Sequence, residues 1–182
     1  MMWTIPGTVL QIDRAQADYI PQQLEALFFG GGITLSQVTA ITGLEAYTVQ
    51  NWVKRGFLTS PVGKRYTQRQ LCRILNINML RSAMPIERIC RLLSYVNGRL
   101  DDEGDDMIDD TQLYFLFVKL AARLKALSDP ESAEKVMEAY LADYEEPVPG
   151  AKERVRAVLR IMFTAYLAAR MMQKTEEMLS AL

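Results

Sequence analysis

The chain has 182 residues, 49% of them hydrophobic, with 21 Lys and Arg against 22 Asp and Glu. That length and balance suit an ordinary globular protein with one or two modest cores. There is no histidine at all, which removes the commonest general base, Ser-His-Asp and Cys-His nucleophiles and most zinc sites together.

Two further absences narrow the class. The longest late uncharged stretch, Ile161 to Ala169, falls far short of the roughly 20 residues that span a bilayer. The start, Met1-Met2-Trp3-Thr4-Ile5-Pro6, lacks the basic and apolar regions of a secretory signal. The expectation is a cytoplasmic protein with no membrane span. Cys72 and Cys90 lie on apolar helical segments with no CxxC, so buried free thiols are expected rather than a disulfide.

In chain order, Met1 to Ile20 reads as a weakly extended or irregular lead. Pro21 to Phe29 reads as a short helix with proline at an early position. Gly30-Gly31-Gly32 precedes no phosphate-binding lysine and reads as a hinge or helix cap. Thr34 is a candidate N-cap for a helix carrying Leu35, Val38 and Ile41 on one side, and Thr42-Gly43 closes it.

The next segment, Glu45 to Arg55, divides its faces. Val49, Trp52 and Val53 form an apolar side, while Tyr47, Gln50, Asn51 and Lys54 recur at i, i+3, i+4 and i+7 on another. Gln and Asn amides can pair bidentately with an adenine edge, and Lys54 with Arg55 can meet phosphate or guanine. Gly56 stops the helix. Ser60-Pro61-Val62-Gly63-Lys64-Arg65-Tyr66 then reads as a tight turn with two cations at its tip, a small wing against a DNA backbone.

Thr67-Gln68-Arg69-Gln70 is a capping box opening a helix that buries Leu71, Ile74, Leu75 and Leu80. Met84-Pro85 restarts the chain as a helix with Ile86, Ile89, Leu92 and Leu93 inward, ended by Asn97-Gly98.

The stretch from Ile33 to Leu93, centred on Thr48-Val49-Gln50-Asn51-Trp52-Val53-Lys54-Arg55-Gly56-Phe57-Leu58 and Lys64-Arg65-Tyr66-Thr67, resembles the DNA-binding half of MerR-type regulators. It is still more similar to an uncharacterised family catalogued as domain of unknown function 1836, which shares the Asn-Trp/Tyr-Val-Lys helix and the Lys-Tyr-Thr turn. The resemblance implies a winged helix-turn-helix. Two departures from the MerR pattern stand out: Gln50 and Asn51 replace the usual Arg and Tyr, and the wing is shorter.

Charge divides the chain. Residues 1–100 carry 11 Lys and Arg against 5 Asp and Glu, whereas residues 101–182 carry 10 against 17. Seven of the ten residues from Asp101 to Asp110 are acidic. Their spacing does not match a calcium loop, because Leu113 stands where the bidentate glutamate belongs when counting starts at Asp102. They read as a solvated acidic linker. Beyond it, Thr111 to Leu127 shows Leu113, Phe117, Leu120 and Leu124 on one face. Asp129-Pro130-Glu131 begins a helix to Tyr144, and Ala151 to Leu182 is one long helical pattern. Met171, Met172 and Met178 in that pattern read as core more readily than as a ligand pocket.

The resulting expectation is an all-α protein, with a MerR-like winged helix-turn-helix followed by a C-terminal helical bundle. Residues 1–100 would be the DNA-binding domain with its lead, 101–110 the linker, and 111–182 a dimerisation or sensing domain. Its function would be that of a transcriptional regulator on double-stranded DNA, a homodimer open to an unknown small-molecule effector, without catalytic, metal or cofactor residues. Tyr47, Thr48, Gln50, Asn51 and Lys54 would lie nearest base edges, with Arg55, Lys64 and Arg65 on phosphates. The alternative is a protein-interaction module on the same scaffold, separable by the salt dependence of nucleic-acid affinity.

Overall fold

In a computed structural model, residues 2–102, 104–123 and 130–182 are described. Helices dominate, and side-chain caps open α2, α4 and α6. β1 (Met2–Thr4) pairs antiparallel with β2 (Gln11–Asp13), and a 3-10 helix (Arg14–Tyr19) leads into α1 (Ile20–Ala26). β3 (Ile33–Thr34) runs into α2 (Leu35–Thr42), α3 (Ala46–Lys54) follows, and β4 (Arg65–Tyr66) returns to pair with β3. Then come α4 (Gln68–Leu80), α5 (Ile86–Asn97), α6 (Asp110–Arg123), α7 (Pro130–Leu141) and α8 (Ala151–Leu179).

Local chemistry accounts for these boundaries. Thr34 and Thr67 each accept a hydrogen bond from the N3 backbone N–H, and the side-chain oxygens of Gln37 and Gln70 accept one from the cap residue's own N–H, two reciprocal capping boxes. Asp109 caps α6 by accepting from the amides of Thr111 and Gln112 at 2.6 and 2.9 Å. Gly43 and Gly98, both at positive φ, close α2 and α5.

The N-terminal lead is more ordered than its sequence suggests. It forms a hairpin whose turn is clamped from three directions. Val9 N–H donates to the Ile41 carbonyl at 3.0 Å, Asn78 Nδ2 to the Gly7 carbonyl at 2.8 Å, and the buried Tyr114 hydroxyl to the Pro6 carbonyl at 2.8 Å. Gly7 itself, at φ 77°, passes so close to α4 that a Cβ there would stand 2.5 Å from the Leu75 carbonyl oxygen. Only glycine fits such an approach.

One hydrophobic cluster runs through the whole chain, from Trp3 and Ile20 through Val49, Leu71 and Leu93 to Tyr114, Leu141 and Met162. Its axis is α4, of whose 13 residues ten are buried. α6 lies along α4, and α8 packs against α4, α5, α6 and α7. No helix among the described residues is long and apolar enough to cross a membrane.

Several expectations need correction. The glycine run is not a helix cap: the helix expected to reach Phe29 ends at Ala26 with Leu27 as its C-cap, and Gly31 and Gly32, at φ 82° and 108°, carry the chain into β3. The helix expected to reach Tyr144 ends at Leu141, and Leu124 and Asp129 lie outside the described residues. Met171, Met172 and Met178 are not core, being 59%, 54% and 64% exposed.

The acidic stretch is not a uniformly solvated linker. Asp106 pairs with Arg69 at 2.8 Å, and Asp110 with Arg73 at 3.3 Å, the second pair with side chains only 1% and 4% exposed. Neither carboxyl is fully satisfied, since Asp106 Oδ1 and Asp110 Oδ1 are buried without a partner. Burial outweighs the pull of Arg69 and raises Asp106 to about 6, while burial likewise raises Asp110. A carboxyl whose pKa is higher folded than unfolded stabilises the protein most at low pH. Its contribution to stability is therefore lost as pH rises from about 4 to 6. Asp106→Asn should flatten the dependence of the unfolding free energy on pH in that window, measured by urea titration at half-unit steps. Parallel profiles for the two proteins would show that Asp106 titrates normally in the fold.

Candidate nucleic-acid interface

α3 is built to bury one side and offer the other. Val49 is fully buried and Trp52 is 5% exposed, seating the helix on the core. Tyr47 is 76% exposed, Gln50 and Lys54 are exposed, and Thr48 and Asn51 are half-buried. Val53, expected with the apolar side, is half-buried at the edge of that outer face.

After α3 the chain turns at Gly56 (φ 75°), and the tight turn expected as a wing follows. Its two sides meet in a single isolated bridge. Val62 bridges Arg65, and Gly63 and Lys64 occupy the turn at φ 56° and 62°. Positive φ at both central residues is the tight hairpin turn whose twist matches antiparallel strands. Lys64 therefore pays a steric cost to stand at the tip. Arg65 does not share the tip: it lies in β4, where its guanidinium donates to the Gly32 carbonyl at 2.8 Å.

Two buried side chains from α4 hold the wing's base. Gln70 Nε2 donates to the Thr59 carbonyl, the Thr59 hydroxyl and the Ser60 carbonyl at 3.0, 2.9 and 3.1 Å. Arg73 Nε donates to the Phe57 carbonyl at 2.9 Å. Sequence reading missed both as positioning residues. Gln70 was concealed by its role in the capping box, but an arginine between Leu71 and Ile74 on a buried helix was a visible signal.

These elements converge. Gln50, Val53 and Lys54 of α3 line one cleft with Pro61, Lys64 and Tyr66 of the wing. Arg55 stands apart: its guanidinium pairs with Glu87 at the start of α5 and lies 4.5 Å from the Phe57 ring centroid. The basic character of the first half is thus partly internal, because Arg55, Arg69 and Arg73 are each matched by a carboxylate. Of the eight residues expected to touch DNA, Gln50, Lys54 and Lys64 are brought to the same cleft. Tyr47 stands on the neighbouring exposed surface, and Arg55 and Arg65 are held by other partners.

The two thiols are free. Burial raises Cys72 to beyond the physiological range and raises Cys90 as well, so both are kept as neutral thiols.

α2, α3, the turn after them, α4, α5 and the first half of α6 lie in the stretch over which a family model matches. Residues 18–117 match the model described as a domain of unknown function, DUF1836. The chain belongs to that family. It is also similar to an uncharacterized protein of Bacillus subtilis (strain 168), YkrK, with 29% identity over 86 residues, 45% of this chain and 37% of the relative. The chain thus matches little more than a third of that relative's length. No solved structure matches significantly.

Proposed function

We propose that the protein is a DNA-binding transcriptional regulator of MerR-like winged helix-turn-helix type, working as a homodimer on double-stranded DNA. The observation that carries this reading is the convergence of Gln50 and Lys54 on α3 with Lys64 at the wing tip around one cleft. α3 would enter the major groove with Gln50 and Asn51 toward base edges, while Lys64 meets the phosphates beside it.

The test is selection of bound duplexes from a random pool, followed by affinity measurement at several salt concentrations. Phosphate contacts release counterions, so the logarithm of affinity should fall steeply with the logarithm of salt. Changing Gln50 and Asn51 together to Ala should erode the preference for the selected site, each good bidentate pair being worth about 1–3 kcal/mol. Weak binding to arbitrary duplexes should survive. An unchanged ratio of specific to non-specific affinity would assign base reading elsewhere, with Tyr47 and Lys54 next to test.

A second reading has its own support. Tyr47 and Val62, 76% and 82% exposed, flank the cleft with apolar surface, and the pairing of Arg55 with Glu87 thins the positive charge beside it. A protein partner seated on the same face would use those features. Failure to select any duplex, with no salt-dependent binding, would favour it.

A further inference from the structure

Beyond Ala165, where its buried residues end, α8 still faces the protein along one side. The N-terminal hairpin turn and the end of α4 stand opposite it across a cleft of about 430 Å³, whose walls are drawn from residues 4–8, 78–82 and 166–176. Ile5, Pro6 and Met79 give it an apolar floor. Its volume is at the small end of those that enclose organic ligands.

The fold uses the polar groups of this cleft only in part. Asn78 Nδ2 donates to the Gly7 and Thr42 carbonyls at 2.8 and 3.0 Å, so its Oδ1 is left to accept, and it meets no donor among the described residues. Nor does the Ser82 hydroxyl have a partner among them. Arg170 and Glu176 reach the cleft from α8. Both are exposed, and neither enters an ion pair among the described residues. They cannot pair with each other, because only spacings of three and four bring side chains on one helix together. At about 1.5 Å per residue they stand roughly 9 Å apart along the axis.

The two ends of the cleft therefore differ in sign. Burial pushes the Tyr166 hydroxyl up, and the Arg170 guanidinium nearby draws it down. That end presents a guanidinium and a neutral phenol, both able to donate to an anion. The other end presents the Glu176 carboxylate, an acceptor for a cation.

We propose that this cleft binds a small zwitterion lengthwise, an ω-amino acid or a short peptide, with its carboxylate against Arg170 and Tyr166 and its ammonium against Glu176. A simple anion would be repelled by Glu176 and a simple cation by Arg170, so a molecule carrying both charges is the one matched at both ends. Its middle lies over Pro6 and Met79, where Ser82 and the Asn78 oxygen can meet peptide groups. The cleft shares no residue with the one between α3 and the tight turn, so the inference stands whether or not the protein reads DNA.

Calorimetric titration of the full chain tests it with two zwitterions, ε-aminocaproate and triglycine, and with caproate and hexylamine, which each lack one charge. At least one zwitterion should bind at millimolar concentration, and caproate and hexylamine about tenfold more weakly. The zwitterion that binds tells the ω-amino acid from the peptide. Arg170→Gln and Glu176→Gln should each weaken it about tenfold with unchanged circular dichroism, whereas Glu176→Gln should not weaken caproate. Caproate or hexylamine binding as tightly as either zwitterion overturns the proposal, as does zwitterion binding that both variants leave intact. Binding of neither zwitterion at millimolar concentration overturns it outright.

Discussion

Replacing Arg73 by alanine should destabilise the protein by about 3–5 kcal/mol, the usual consequence of stranding one member of a buried ion pair. The site leaves little room for relaxation. Asp110 is 1% exposed, and its Oδ2 faces Arg73 at 3.3 Å. Its other oxygen has no partner, and Asn76 Nδ2 is already committed to the Asp110 carbonyl at 3.1 Å. Without the guanidinium, Asp110 must take up a proton or draw water into the α4–α6 seam. Replacing both, as Arg73→Met with Asp110→Leu, should recover most of that loss, because the desolvation of two charges disappears with them. Urea unfolding followed by circular dichroism measures each variant. Equal losses in the single and double variants would mean that packing, not charge, holds this seam. The single variant should also loosen the wing, since Arg73 is the donor to the Phe57 carbonyl.

Removing Lys54 and Lys64, which enter no ion pair among the described residues, should have the largest effect on nucleic-acid affinity. Lys54→Gln with Lys64→Asn is the appropriate pair, asparagine being tolerated at the positive φ of position 64 where most side chains are strained. If both lysines meet phosphates, affinity for every duplex should fall alike, and the slope of log affinity against log salt should flatten by about 0.9 for each lost contact. Arg55→Gln is the internal control: with its charge engaged by Glu87, it should change the slope little. A double lysine variant with the parent's slope would take the cleft out of any phosphate interface.

What could be read from the sequence was local. Thr34 with Gln37 and Thr67 with Gln70 announce their helices because a capping box is closed within four residues. Gly43, Gly56 and Gly98 mark turns because positive φ is a property of the residue itself. The seating of Val49 and Trp52, and the outward face of Gln50 and Lys54, follow from helical periodicity alone.

Tertiary structure decided which charges are available. Arg55, Arg69 and Arg73 look alike in sequence, yet partners 32 to 37 residues away determine their state: Glu87, Asp106 and Asp110. The same packing turned an acidic run that composition alone marks as solvated into two ion pairs against α4. It also drew the first residues into a hairpin clamped by Asn78 and Tyr114, more than 70 residues distant. Charge state and register depend on what a folded neighbour presents across a low-dielectric contact, and no window of the chain contains that neighbour. Helix content and the polar face of α3 were therefore determined by the sequence by itself, whereas the cations of the cleft that enter no ion pair among the described residues, and the exposed end of α8, were decided by the packing.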